Sequence, residues 1–348
     1  SYKSELGLPD FERNEAGEFL HEDGSVFTSP QLRDRDLALP FQDVRHKKVA
    51  LNSNILLGTG RLRSNLAFQN NQRRELEESP SDPSLFFDLN TLSYDFKYYF
   101  QEANGWEPVI GVAGAFQQNR NKAEELLVPD YQSSDIGGFG YLKKTWNNAT
   151  TFNIGARFDY RKLNGEQMVE DGEERFADFS SSFSNISGAA GFTQEFNDHW
   201  SFKANLGSAF RAPNIAELSS NGVHEGTFRY EIGNSALKPE RSFYADMGVE
   251  YSGEMATASI NVFNNYIDNY IYYRQFDFET ISVENDLYPV FRYTQANANL
   301  HGAEASLTLH PVELIHLENM FSLTRGVNRA TVRPLPFIPA IQLRNELR

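Results

Sequence analysis

Apolar and polar side chains alternate along this chain in segments of about ten residues, and that period constrains its fold more than any motif. Leu92, Tyr94, Phe96, Tyr98 and Phe100 enclose Ser93, Asp95, Lys97 and Tyr99. Phe152, Ile154, Ala156, Phe158 and Tyr160 enclose Asn153, Gly155, Arg157 and Asp159. The pattern returns in Phe202-Ala204-Leu206 and in Phe243-Ala245-Met247-Val249-Tyr251. A period of two means β-strands with one apolar and one polar face. Repeated over many strands, a polar second face is the pattern of a barrel with lipid outside and water inside.

The connections alternate too. Short turns are expected at Gly58-Thr59-Gly60, Glu102–Gly105, Asn147–Ala149, Asn197–His199, Gly253-Glu254 and Pro311–Leu314. Long polar stretches lie between them, at roughly 8–45, 74–84, 121–130, 163–182, 213–241, 276–289 and 327–340. If all the short connections share one rim, all the long ones share the other. Outer-membrane barrels are sorted in this way, with short periplasmic turns and long extracellular loops, and a soluble sandwich has no reason to be. The fold expected is an all-β, antiparallel transmembrane β-barrel. A passive porin-like channel, an adhesin barrel and a soluble β-sandwich binding module are the alternatives.

Six down-up pairs can be counted: 47–58 with 61–73, 85–101 with 106–120, 131–146 with 150–162, 183–196 with 199–212, 242–252 with 255–275, and 290–310 with 315–326. Partial strands at 1–7 and 341–348 bring the total to about fourteen. An open sheet edge cannot sit in hydrocarbon. Residues 1–348 therefore read as one barrel domain truncated at both ends. Pro213 to Leu218 can form a single helical turn. Three prolines in Pro334-Leu335-Pro336-Phe337-Ile338-Pro339 argue against a ladder there and for a stiff loop.

Composition removes several function classes. The chain has no cysteine, which excludes a disulfide scaffold, a thiol nucleophile and thiolate metal sites. A net charge of -15 leaves no basic face for phosphates, so nucleic acid is not an expected partner. The acidity is concentrated in the long stretches, as in Glu75–Glu78 and Glu170–Glu174. No run of 18 apolar residues exists for a transmembrane helix. Neither a lipase-like Gly-x-Ser-x-Gly elbow, a His-Glu-x-x-His pair nor a P-loop is present, and no enzymatic role is expected.

One segment carries a resemblance. Residues 208–242 contain Phe210-Arg211-Ala212-Pro213, then Glu217-Leu218, then Gly233-Asn234, then Leu237-Lys238-Pro239-Glu240. Asn264 to Ile271 follow as a Tyr/Asn-rich strand, with Gln295–Ala298 and Gly302-Ala303-Glu304 beyond them. In order and spacing this resembles the barrel of TonB-dependent outer-membrane receptors. The resemblance implies a 22-stranded barrel with a plugged lumen, of which this chain supplies about 14 strands. It implies a Gram-negative outer-membrane location, contact with outer-membrane lipid and lipopolysaccharide, and energy from the TonB complex acting through a plug domain that does not precede Ser1. The implied cargo is a small-molecule metal chelate, most simply an iron-siderophore complex, with haem and zinc as further cases. No resident cofactor is expected.

Two groups of candidate residues follow. Arg211 lies on the face of Lys203 and Asn205, so it points into the lumen and needs a carboxylate, from a plug residue or from a barrel neighbour such as Asp246 or Glu250. On the outer side, His224, Glu225, Arg229 and Tyr230, with Glu231, form the one dense cluster of functional side chains. They are the candidate substrate contacts. His224 is a possible ligand for haem iron or zinc, against the plainer reading of a solvated loop histidine.

Overall fold

The computed structural model describes residues 2–5, 11–13, 19–21, 26–27, 39–77, 79–147, 149–170, 172–224, 227–283, 286–312 and 315–347. Strand β1 (Tyr2–Glu5) is followed by the short β2 (Phe11–Arg13), β3 (Phe19–His21) and β4 (Val26–Phe27). Six long strands come next: β5 (Phe41–Leu57), β6 (Gly60–Leu76), β7 (Leu85–Tyr99), β8 (Trp106–Asn121), β9 (Tyr131–Trp146) and β10 (Thr150–Gly165). A small hairpin, β11 (Met168–Glu170) and β12 (Glu173–Phe176), precedes β13 (Phe179–Glu195) and β14 (Trp200–Arg211). Then come helix α1 (Ile215–Ser219), β15 (Asn221–His224), β16 (Arg229–Ile232), β17 (Glu240–Ser252), β18 (Ala256–Val283), β19 (Asp286–Val312), β20 (Ile315–Asn328), β21 (Arg333–Pro334) and β22 (Gln342–Leu347).

Pairing runs β1–β5–β6–β7–β8–β9–β10–β13–β14–β17–β18–β19–β20–β22, each strand antiparallel to its neighbours. The expected fourteen strands are therefore one continuous sheet and not two packed ones, which rules out the sandwich. No ladder among the described residues joins β22 to β1, and the sheet is not closed. No helix of the described residues is long and apolar enough to cross a membrane.

Register places the alternating residues as the sequence requires. Ile154 pairs with Ala190, Ala190 with Leu206 and Leu206 with Ala245, so apolar residues line up across four strands. The next row aligns Asn205 with Asp246 and Lys203 with Gly248. Side chains on the apolar row stay open: Leu206 is 64% exposed, Met247 55% and Ile260 61%. Such a surface is unfavourable in water and favourable in hydrocarbon. The apolar face is the lipid face of an outer-membrane barrel.

What apolar core exists lies among the long connections. Leu163, Leu218, Leu237 and Ile271 form one buried cluster, and Val223, Tyr230, Tyr288 and Val290 a second. Both join strand ends at the long-loop rim to the 212–239 connection.

Three expectations change. The stretch at 276–289 is not a loop, because β18 continues to Val283 and β19 begins at Asp286. Register shifts near Ile267/Tyr270 and Gln275/Thr280 mark where this tall hairpin leaves regular pairing. Strand β5 starts at Phe41 rather than 47. Pro334 does enter a ladder, opposite Val327 at the end of β20, where the amide of the following residue, Leu335, donates to the Gly326 carbonyl. A proline at such an edge loses only a donor the ladder does not need.

Candidate functional site

The 212–239 connection is built from the top of β14. Pro213 cannot donate to a ladder, so the strand ends there. Asn214 then caps α1: its side chain accepts from the Glu217 amide at 2.9 Å, and Glu217 Oε2 accepts from the Asn214 amide at 2.9 Å. This reciprocal capping box holds a helix too short to persist alone. Gly233 packs against its far end. A Cβ on Gly233 would lie 2.4 Å from the Ser219 nitrogen, so only glycine fits. The Asn234 amide donates to the Glu217 carbonyl at 2.8 Å, locking the returning chain to the helix.

Arg211 sits under this helix. Its Nη1 donates to Glu217 Oε1 at 2.8 Å, while Nε and Nη2 donate to Glu240 Oε2 and Oε1 at 2.8 and 2.7 Å. Glu240 Oε1 also accepts the Ile271 amide at 2.7 Å. Phe-Arg-Ala-Pro, Glu-Leu, Gly-Asn and Leu-x-Pro-Glu thus meet at one knot that ties β14, α1, β17 and β18 together. The expected partners of Arg211 are corrected. Asp246 accepts from Asn205 Nδ2 at 3.1 Å and Glu250 from Lys203 Nζ at 3.0 Å. Both lie deeper in β17, Asp246 directly opposite Asn205 and Glu250 one pair diagonal to Lys203, opposite Ser201, whereas Arg211 is opposite Glu240. Glu217 and Glu240 were missed by sequence reasoning. The Asn214-x-x-Glu217 spacing of a capping box could have found the first.

Beyond the knot, β15 and β16 form a hairpin that adds to β19, with Tyr230 to Ile232 parallel to Val290 to Arg292. Glu231, only 3% exposed, is its hub. Its Oε1 accepts from Arg229 Nε at 2.7 Å and from His224 Nδ1 at 2.9 Å, and its Oε2 accepts from the Tyr293 hydroxyl at 3.0 Å. Burial pushes the Glu231 carboxyl up, but the hydrogen bonds from His224 and Arg229 prevail and hold it at about 2. The same burial, with the Glu231 carboxylate beside it, pushes the Tyr293 phenol up. Arg229 lies 4.1 Å from the Tyr273 ring centroid, a cation–π contact.

These contacts sort the outer candidates. His224 remains partly open at 31% side-chain exposure. Arg229 is mostly covered. Tyr230 is 5% exposed, and its hydroxyl donates to Asn221 Oδ1 at 2.8 Å, so it is a packing residue and not an open contact. Glu225 lies outside the described residues. With Nδ1 committed to Glu231, His224 could offer only Nε2 to a metal, in the carboxylate–histidine arrangement common around metal sites. No cluster of three or more His, Asp or Glu suited to a metal ion occurs among the described residues. The hairpin can therefore supply one oriented imidazole, not a chelating cage.

An open run of antiparallel strands with a lipid face, short turns on one rim and a stapled loop layer on the other defines an outer-membrane β-barrel receptor. The chain belongs to the TonB dependent receptor-like, beta-barrel family, whose pattern matches residues 8–344. It is 27% identical over 283 residues to the probable TonB-dependent siderophore receptor PirA of Acinetobacter baumannii, covering 72% of this chain and 36% of that protein. Its fold is similar to that of the copper transporter OprC, with a TM-score of 0.72 at 16% identity over 88% of this chain and 50% of that one. It also resembles the siderophore receptor PirA from Pseudomonas aeruginosa, with a TM-score of 0.64 at 15% identity over 84% of this chain and 51% of that one. The chain spans about a third of the length of the curated relative and half of these solved chains.

Proposed function

We propose that this chain is the barrel part of a receptor for energy-dependent uptake of an iron-siderophore complex. The observation that carries the reading is the stapled loop layer: α1, β15, β16 and the tall β18–β19 hairpin are joined above the membrane-spanning strands by ion pairs to covered carboxylates and by two small cores. A passive pore has no use for a rigid extracellular layer of this kind, whereas a receptor needs preorganised loops to hold a ligand at low concentration. The siderophore receptor among its relatives supports an iron chelate as the cargo. TonB would supply the energy through a plug domain, and the outer-membrane lipid and lipopolysaccharide would surround the apolar face. His224 is the outer side chain best placed to touch cargo.

The test is radiolabelled iron uptake by a deletion strain carrying the receptor, supplied in turn with ferric siderophores, haem and free iron. Uptake of one ferric siderophore that stops when the proton-motive force is collapsed supports the reading. Energy-independent entry of many small solutes would replace it with a passive channel.

A further inference from the structure

A second pair of chemistry-bearing side chains lies at the opposite rim. His310 near the end of β19 and His316 near the start of β20 flank the short turn between those strands. Regular pairing holds up to Leu309 opposite Leu317 and resumes at Val312 opposite Ile315. In between, two residues of β19 oppose one of β20, a bulge of the kind that re-aims side chains at barrel rims. The His310 amide donates to the Met255 carbonyl at 2.8 Å, which fixes this end of β19 against β18. The two rings meet edge to face, with centroids 4.7 Å apart at 77°, and their Nδ1 atoms are 2.6 Å apart. Both side chains are half-buried.

Two ring nitrogens this close must share a proton, one as donor and the other as acceptor. When the bridging proton passes by way of solvent to Nε2 of its own ring, both Nδ1 atoms carry lone pairs and can converge on a cation. The spacing selects the geometry. With metal–nitrogen bonds of about 2.0 Å, a right-angled bite needs nitrogens about 2.8 Å apart and a tetrahedral one about 3.3 Å. The first is the nearer to the pair as it stands, and rotation of the two rings about their side-chain bonds would turn both lone pairs toward one ion. A tetragonal ion is therefore favoured, and among divalent first-row ions copper binds nitrogen ligands most strongly. We propose that His310 and His316 form a bidentate Cu²⁺ site that clamps β19 to β20 at the short-turn rim, with water filling the remaining positions. The site is independent of the uptake reading, since it stands at the other end of the strands from His224.

The receptor, folded in detergent, is titrated with Cu²⁺ up to one equivalent and followed by electron paramagnetic resonance. The expected spectrum is a tetragonal Cu²⁺ signal split by two nitrogens. His310→Ala and His316→Ala should each abolish that two-nitrogen pattern. His199→Ala, at the same rim but bonded to the Ser252 carbonyl, should leave it intact. Heat-modifiable migration on gels checks that each variant is folded, and His316→Gln carries the comparison if His316→Ala is not. A wild-type spectrum that persists in folded variants at both positions, or no nitrogen coordination in the wild type, overturns the proposal.

Discussion

Arg211 and Glu240 stand directly opposite one another on β14 and β17, joined by two parallel hydrogen bonds of 2.8 and 2.7 Å. This fork-on-fork pairing is the strongest geometry available to a guanidinium and a carboxylate. It lies where both strands leave the membrane-spanning wall, and Glu217 joins it from α1.

Removing the arginine should leave two poorly solvated carboxylates facing each other. The side chains of Glu217 and Glu240 are only 10% and 12% exposed. Breaking a fully buried pair costs about 3–5 kcal/mol. Arg211 is itself 43% exposed, so Arg211→Ala is expected to cost roughly 2 kcal/mol after solvent screening. Arg211→Lys should recover less than half of that, because an ammonium cannot reach both acids in fork geometry. Urea unfolding of the detergent-folded receptor measures both, and equal stability of lysine and arginine would refute the bidentate account.

Gly233→Ala is expected to loosen the loop layer without harming the barrel wall. Its new Cβ would collide with backbone of α1 at Ser219 and Ser220, which cannot yield as a flexible side chain would. Limited proteolysis should then cut within 212–239 while the heat-modifiable gel shift stays unchanged. Wild-type protease resistance would show that α1 has room to move.

Acid should release the β15–β16 hairpin. The Glu231 carboxyl titrates at about 2 when folded against 4.5 when free. Its contribution is complete above 4.5, declines as pH falls below that, and is gone near 2. The difference corresponds to about 3 kcal/mol of local stability. Hydrogen exchange of residues 221–232, taken relative to its intrinsic rate at each pH, should accelerate between pH 4.5 and 2 in the wild type. In Glu231→Gln it should already be fast at pH 7. Slow exchange of that variant at neutral pH would contradict the role assigned to the carboxylate.

The lipid face makes a further prediction. Met247→Arg places a charge on the exposed apolar row and should cost about 2–4 kcal/mol if it sits near the bilayer midplane. Asn261→Arg, one row over on the polar face opposite Gly248, should be nearly neutral. Folding yield into vesicles compares them, and equal losses at the two positions would mean that the faces are misassigned.

His224→Ala tests the outer site. It should lower uptake of the cargo several-fold while leaving surface expression and the folded gel band intact. Unchanged uptake would return His224 to the role of a hydrogen-bond donor to Glu231.

By itself the sequence determined the strands, the two faces and the sorting of turns by rim. All three are local properties: period two fixes which side chains share a face, and turn residues fix where a hairpin reverses. Fourteen strands could be counted for the same reason, and the helical turn within Pro213 to Leu218 was legible because it too is local. Only the tertiary structure decided which groups meet. Arg211 carried a visible need for a carboxylate. Its choice of Glu217 and Glu240 over Asp246 and Glu250 depends on strand register and on the path of a 28-residue connection. Tyr230 reads as an open loop aromatic until β16 lies against β19 and buries it. His310 and His316 look like two unremarked rim histidines until a bulge in β19 turns their rings together. Contacts between residues far apart in the chain are set by the closure of long loops and by register, and no local pattern of side chains encodes either.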